Sequence, residues 1–318
     1  MGEIMLKYKR RIVIILSVII VLLLIGMGIA GNYFYNLALN PNTSKDKVFG
    51  KSDDSKEVSA NIDNTNWILD KSNYEDESLT SDDGLKLHGY EIKNTTNCNV
   101  WVITVHGYMS EGYKMDNYAE SFFNMGYNVL VPDLRGHGKS EGDYVGMGWD
   151  DRKDIIKWIN HIIDENNDAE IILHGVSMGA ATVMMTSGEE LPDNVKCIIE
   201  DCGYTSVWDE FSYQLKSLFD LPEIPVMQAA NTVGRIRAGY WFSDASAVEQ
   251  VKNSKTPMLF IHGDKDDFVP YYMLDEVYNA ADVEKEKLVV EGAAHAKSAK
   301  VNPELYWSTV SKFINKHI

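Results

Sequence analysis

A serine framed by glycines carries the strongest chemical signal in this chain. Gly175-Val176-Ser177-Met178-Gly179 follows the apolar, β-branched run Ile171–Leu173 and leads into a run of small and apolar residues from Ala180. The run before it reads as a buried strand and the run after it as a tightly packed helix. In that setting G-x-S-x-G is a nucleophile elbow: the serine sits on a strained turn, and the glycines let strand and helix approach closely. Unpaired N–H groups and the positive end of the helix dipole then lie beside the hydroxyl, where a developing oxyanion is stabilised. The same five residues would also suit an ordinary glycine-bounded turn. What separates the two is whether the chain supplies partners for the hydroxyl.

A serine hydroxyl needs a base, usually histidine, oriented by a carboxylate. Downstream of Ser177 stand His262, His295 and His317. His317 is next to the last residue in a predicted helix. His262 closes a strand and is expected to support the following loop. His295 follows a strand in a loop of small residues, "EGAAHA", and is the expected base. The acid is expected after the strand "MLFIHG", where Asp264, Asp266 and Asp267 crowd together. A carboxylate must clear the strand end before it turns back to the imidazole. Asp266 is best placed, Asp264 is the runner-up and a turn cap, and Asp267 is a helix cap. The backbone N–H groups of Met178 and of Tyr108, in the His106-Gly107-Tyr108 loop, are the expected oxyanion donors. "RGHGKS", Arg135 to Ser140, does not satisfy the phosphate-loop pattern, since Asp133 stands where the first glycine is needed.

The elements that must position these residues alternate. "SLTSDDGLKLHGYEI" reads as a hairpin turning at Asp83-Gly84. "NVWVITVHG", "YNVLVPD", the strand before the elbow, "VKCIIEDCG", "TPMLFIHGD" and "EKLVVEGAAH" read as strands. Helical segments are expected over 113–125, 149–165, the elbow helix, 271–281 and from about 303. Such alternation implies an α/β fold: a mostly parallel sheet with helices on both faces. Function then collects at the carboxyl ends of strands, where Ser177, Asp266 and His295 all fall. Residues 204–255 interrupt the alternation with more chain than a crossover requires. They read as a helical cap, with Trp208, Phe211, Phe219 and Met227 as candidate substrate-binding residues. Each of these could equally serve the cap's own core.

The N-terminus carries a different signal. Lys7, Lys9, Arg10 and Arg11 precede Ile12 to Ala30, an apolar run broken only by Ser17. It is long enough to span a bilayer and longer than a secretory h-region. A transmembrane anchor at 12–31 is expected, with a cleaved signal peptide as the alternative. The basic segment 1–11 should stay cytoplasmic and the catalytic domain should lie outside the cell. Residues 32–66, rich in Asn, Asp, Ser and Lys, read as a linker, and 67–318 as the catalytic domain. A formal charge of −17 argues against nucleic acid as a partner. Cys98, Cys197 and Cys202 make no disulfide framework, and no C-x-x-C suggests zinc.

Taken in order, His106-Gly107, "DLRGHGKSEG", Gly175 to Gly179, "HGDKDDFVP" and Gly292 to His295 resemble the α/β-hydrolase superfamily. The likeness runs over roughly Trp67 to Ile318. It is nearest to bacterial membrane-anchored serine hydrolases of the serine-aminopeptidase-like, monoglyceride-lipase-like and cinnamoyl-esterase-like kinds. The resemblance implies a helical cap on an α/β-hydrolase core, a triad of Ser177, Asp266 and His295, and no metal or cofactor. Many relatives have histidine before the nucleophile. Val176 stands there in this chain, which implies a changed pocket wall. The expected activity is hydrolysis of a carboxylic ester through an acyl-enzyme, on a small-molecule substrate. Cleavage of a short peptide or amide is the alternative within the fold, and a non-catalytic binding protein is the alternative outside it.

Overall fold

The computed structural model describes residues 2–45, 65–95 and 98–318. Its centre is an eight-stranded sheet: β1 Glu75–Thr80, β2 Lys86–Ile92, β3 Val100–Val105, β4 Asn128–Asp133, β5 Glu170–Val176, β6 Val195–Asp201, β7 Met258–Gly263 and β8 Lys285–Val290. Their spatial order is β1-β2-β4-β3-β5-β6-β7-β8. The first two strands form the expected hairpin, with Gly84 at φ +91° in the turn. β2 pairs antiparallel with β4, and every later pairing is parallel.

Side chains alternate across the strands, so the two faces feed two cores. Trp101, Ile103 and Val105 pack on one side with Ile155, Trp158 and Ile159 of helix α3 (Asp151–Glu165). Val100 and Val102 pack on the other with Phe122 of α2 (Asp116–Asn124) and Tyr306, Val310 and Phe313 of α10 (Pro303–His317). The elbow helix α4 (Met178–Ser187) is buried on every side, as its small and apolar composition requires.

The cap is built mainly of two helices, α5 (Val207–Phe219) and α6 (Glu223–Arg237). Ser206 starts α5 by accepting the Asp209 N–H at 3.0 Å. A third short helix, α7 (Ala247–Val251), packs against α4 instead of roofing the sheet. Beyond it come α8 (Tyr272–Ala280) and the short α9 (Ser298–Val301). A five-residue π-helix, Trp67–Lys71, precedes β1 and has no sequence expectation behind it.

The largest departure from expectation is at the N-terminus. Helix α1 runs without a break from Gly2 to Leu39, so residues 32–39, assigned to the linker, are helical. Residues 4–26 are exposed, and the stretch is long and apolar enough to cross a membrane. From Gly31 onward the helix turns buried: Tyr35, Leu37 and Leu39 join the core of the folded domain. Residues 46–64 of the expected linker lie outside the described residues.

Candidate active site

Ser177 stands between β5 and α4 with φ +58° and ψ −118°, a conformation an L-residue rarely adopts and that only a well-fixed surround maintains. The surround is set by glycines. A Cβ at Gly175 would overlap the carbonyl of Gly179, and a Cβ at Gly179 would overlap that of Val105. Strand β5, helix α4 and the end of β3 therefore meet at backbone contact, and the serine is pushed out at the strand ends.

The structure brings the sequence-derived partners to it. His295 Nε2 lies 2.8 Å from Ser177 Oγ, and His295 Nδ1 lies 2.8 Å from Asp266 Oδ2. Asp266 is fixed in turn. Its Oδ1 accepts the N–H groups of Phe268 and Val269 at 3.0 and 2.9 Å. His262 Nε2 stands 3.2 Å from Oδ2 and also 3.0 Å from the Val269 carbonyl. Burial would raise the Asp266 pKa, but hydrogen bonds from His262 and His295 outweigh it and hold the carboxyl down to about 2. It stays an anion through the physiological range and keeps the imidazole N–H pointed at itself. Phe268 covers the His295 ring at 4.9 Å between centroids.

Asp264 faces elsewhere: its Oδ1 accepts the Gly292 N–H at 2.6 Å and braces the loop that carries His295. The Asp267 carbonyl accepts the Tyr213 hydroxyl at 3.0 Å, tying that loop to the cap. His317 packs its ring on Phe313 at the end of α10.

Met178 opens α4, so its N–H belongs to the helix end that has no intrahelical acceptor. The loop after β3 approaches from the other side. A Cβ at Gly107 would lie 3.3 Å from the Ser177 Cβ and 3.8 Å from its Oγ, which brings Tyr108 beside the serine. This loop is pinned by His106, a role the sequence reading did not give it. Its Nδ1 donates to the Gly107 carbonyl at 2.8 Å and its Nε2 accepts the Leu134 N–H at 3.0 Å. Burial lowers its pKa, keeping the ring neutral so that one nitrogen can accept. Asp133 holds the neighbouring turns through the N–H groups of Gly112 and Lys139, at 2.7 and 3.0 Å.

Ser177 opens into an apolar cavity. Tyr108, Met178, Phe211, Phe219 and Met227 line it, together with Phe34, Leu37 and Ala38 of α1. Trp208 stands outside the lining; its indole N–H donates to Glu223 at 3.1 Å and ties α5 to α6. The buried Glu210 also faces the cavity, paired with Gln214 at 2.9 Å. Burial pushes its carboxyl up to about 8, so it is protonated at neutral pH.

Residues 97–222 match the family model Hydrolase_4, described as serine aminopeptidase S33. The uncharacterized protein YqkD of Bacillus subtilis is 28% identical over 233 residues, covering 73% of this chain and 76% of that protein. The uncharacterized membrane protein YNL320W of Saccharomyces cerevisiae is 23% identical over 247 residues, covering 76% and 79%. Among solved structures, the Pyrococcus furiosus esterase Pf2001 superposes with a TM-score of 0.63 at 25% identity, covering 77% of this chain and 92% of that one. Sheet order, elbow and sequence likeness agree: the chain has the α/β-hydrolase fold and is similar to members of that superfamily.

Proposed function

We propose that this protein is a membrane-anchored, extracytoplasmic serine hydrolase that cleaves carboxylic esters through an acyl-enzyme. The observation that carries the reading is the continuous chain Ser177 Oγ–His295–Asp266, with both links at 2.8 Å, opening into an apolar cavity. In the reaction Ser177 Oγ attacks the ester carbonyl while His295 Nε2 takes its proton. Asp266 stabilises the imidazolium that results. The N–H groups of Met178 and Tyr108 hold the oxyanion of the tetrahedral intermediate. Collapse expels the alcohol, protonated by His295, and leaves Ser177 acylated. Water, deprotonated by the same imidazole, then releases the acid and restores the serine.

The apolar wall favours the acyl part of an ester over a charged peptide terminus, and the esterase Pf2001 supports the same choice. The serine-aminopeptidase family model supports an amide as the second substrate class. For location, the exposed apolar stretch of α1 supports anchoring, and the cations before it support an outside catalytic domain.

The test is fluorophosphonate labelling of the full-length protein in detergent, with p-nitrophenyl acetate and butyrate as substrates. Wild type is expected to label and to turn over, and Ser177→Ala to do neither while keeping its circular dichroism spectrum. Turnover near wild type in Ser177→Ala would sink the assignment.

A further inference from the structure

Helix α1 is longer than an anchor requires. Its 38 residues reach about 57 Å at 1.5 Å per residue, against a hydrocarbon core of about 30 Å. The surplus is docked on the catalytic domain. Gly31 crosses α6 so closely that a Cβ would meet the Ala229 carbonyl at 2.5 Å. Arg237 of α6 donates to Asn32 and Asn36 at 3.0 and 2.8 Å and stacks over the Tyr35 ring. Phe34 meets Phe219 of α5 edge-on at 5.4 Å. The Val145 N–H donates to the Leu39 carbonyl at 2.8 Å.

Two consequences follow for the site. Phe34, Leu37 and Ala38 form part of the cavity wall that begins at Ser177. The Tyr108 hydroxyl donates to the Ala38 carbonyl at 2.6 Å, so the residue expected to hold the oxyanion is tied to the same helix. The cap helix that clasps α1 also leaves Ile224 and Ile236 in solvent, 69% and 77% exposed. Apolar side chains standing in water beside a membrane-length helix fit a surface lying on a bilayer.

We infer that α1 is a wall of the acyl pocket as well as an anchor, and that the site takes long-chain acyl esters drawn from the membrane in which α1 sits. This rests on the serine-hydrolase reading of Ser177. An apolar chain leaving the bilayer along α1 would stay against apolar side chains until its carbonyl reached Ser177, and would never be fully exposed to water.

The experiment uses the full-length protein in phosphatidylcholine vesicles. The first readout is the ratio of kcat/KM for p-nitrophenyl octanoate to that for the acetate. Being a ratio on one sample, it does not depend on the folded fraction. Ala38→Phe and Leu37→Trp, which fill the wall, are expected to lower the ratio by about tenfold or more. The second readout is hydrolysis of p-nitrophenyl palmitate placed in the same vesicles as the protein or in separate ones. Hydrolysis should be several-fold faster in the same vesicles. Unchanged ratios in both variants would overturn the pocket wall. Equal palmitate rates would overturn delivery from the bilayer. A wild type that neither labels with fluorophosphonate nor hydrolyses acetate would overturn the serine-hydrolase reading and this inference together, whereas a labelled, acetate-active wild type with unchanged ratios would overturn this inference alone.

Discussion

At the scale of single residues, the two carboxylates after β7 differ by what they touch. Asp266 reaches His295 at 2.8 Å and takes two backbone N–H groups, whereas Asp264 takes the Gly292 N–H and the exposed Lys265 ammonium. The sequence pointed to Asp266 over Asp264 because the strand end was legible and a carboxylate must clear it before turning back; the loop path gives Asp266 that position. Asp266→Asn keeps the shape, loses the anion and disfavours the correct tautomer of His295. Its kcat should fall by about 10⁴-fold, the usual cost of losing the orienting carboxylate, with Asp264→Asn losing far less. A reversed order in steady-state assays would transfer the role. Glu210 permits a second measurement. Its carboxyl, raised to about 8 by burial, is neutral in the cavity at pH 7 and ionises above that. Charging an apolar pocket disfavours an acyl chain. Octanoate hydrolysis should therefore decline as pH rises through about 8, and Glu210→Gln should remove that decline. An unchanged profile in the variant would assign the decline to another group.

At the scale of elements, the central strands were readable because each is a short apolar run closed by a turn or loop residue, the polar edge strand β1 only through its hairpin turn at Asp83-Gly84, and most helices because their apolar residues recur at helical spacing. The elbow was readable for a stronger reason: its glycines are demanded by backbone overlap at Gly175 and Gly179. The continuation of α1 was not readable. Asn32, Asn36 and Asn40 give the stretch the composition of a linker, although Gly31, Phe34, Tyr35 and Ala38 already mark one helical face. Composition hid a periodicity that only α6 completes. In the cap, Trp208 and Phe211 belong to one helix, but the phase that turns Phe211 to the cavity and Trp208 to Glu223 is set by the helix beside them. Glycine substitutions check this account. Gly175→Ala must separate β5 from α4 and should cost about 1–3 kcal/mol or more in denaturant unfolding, with loss of fluorophosphonate labelling. Gly26→Ala, where an added Cβ meets nothing within 4 Å, should leave both unchanged. Equal behaviour of the two would mean that the elbow tolerates more space than its backbone contacts indicate.

At the scale of the whole molecule, buried acids dominate the expected response to pH. Burial raises Asp201 to about 6, Asp151 to about 7, and Glu200 and Glu210 to about 8. Unfolded, such groups lose their protons near pH 4. Between there and each folded value the native state holds protons that the unfolded chain has released, so stability falls as pH rises. His262 acts in the same direction. Burial would lower its pKa, but Asp266 and Glu200 outweigh that and raise it, and the stability it contributes is lost as pH climbs through the folded value. Two kinds of group oppose them toward acid pH. Burial lowers His106, and holds His137 and His174 down to about 3, so these rings stay neutral in the fold and the stability they contribute is lost as pH falls below the unfolded imidazole value of about 6.5. Asp266 opposes at the acid end. Held to about 2 in the fold, it contributes stability above its unfolded pKa that is lost as pH drops toward 2. The formal charge of −17 adds self-repulsion toward alkaline pH. The full-length protein in detergent should accordingly have its highest melting temperature on the acid side of neutrality, at about pH 6. By pH 8 the melting temperature should be lower by about 5 °C or more, a modest shift for a domain of this size. Glu210→Gln removes one of the four acids and should shrink the fall without shifting the acid limb, which belongs to Asp266 and the buried histidines. A melting temperature that rises steadily from pH 5 to pH 8 would mean that these carboxyls are ionised in the folded protein, and that the cavity beside Ser177 is wetter and more polar than its lining implies.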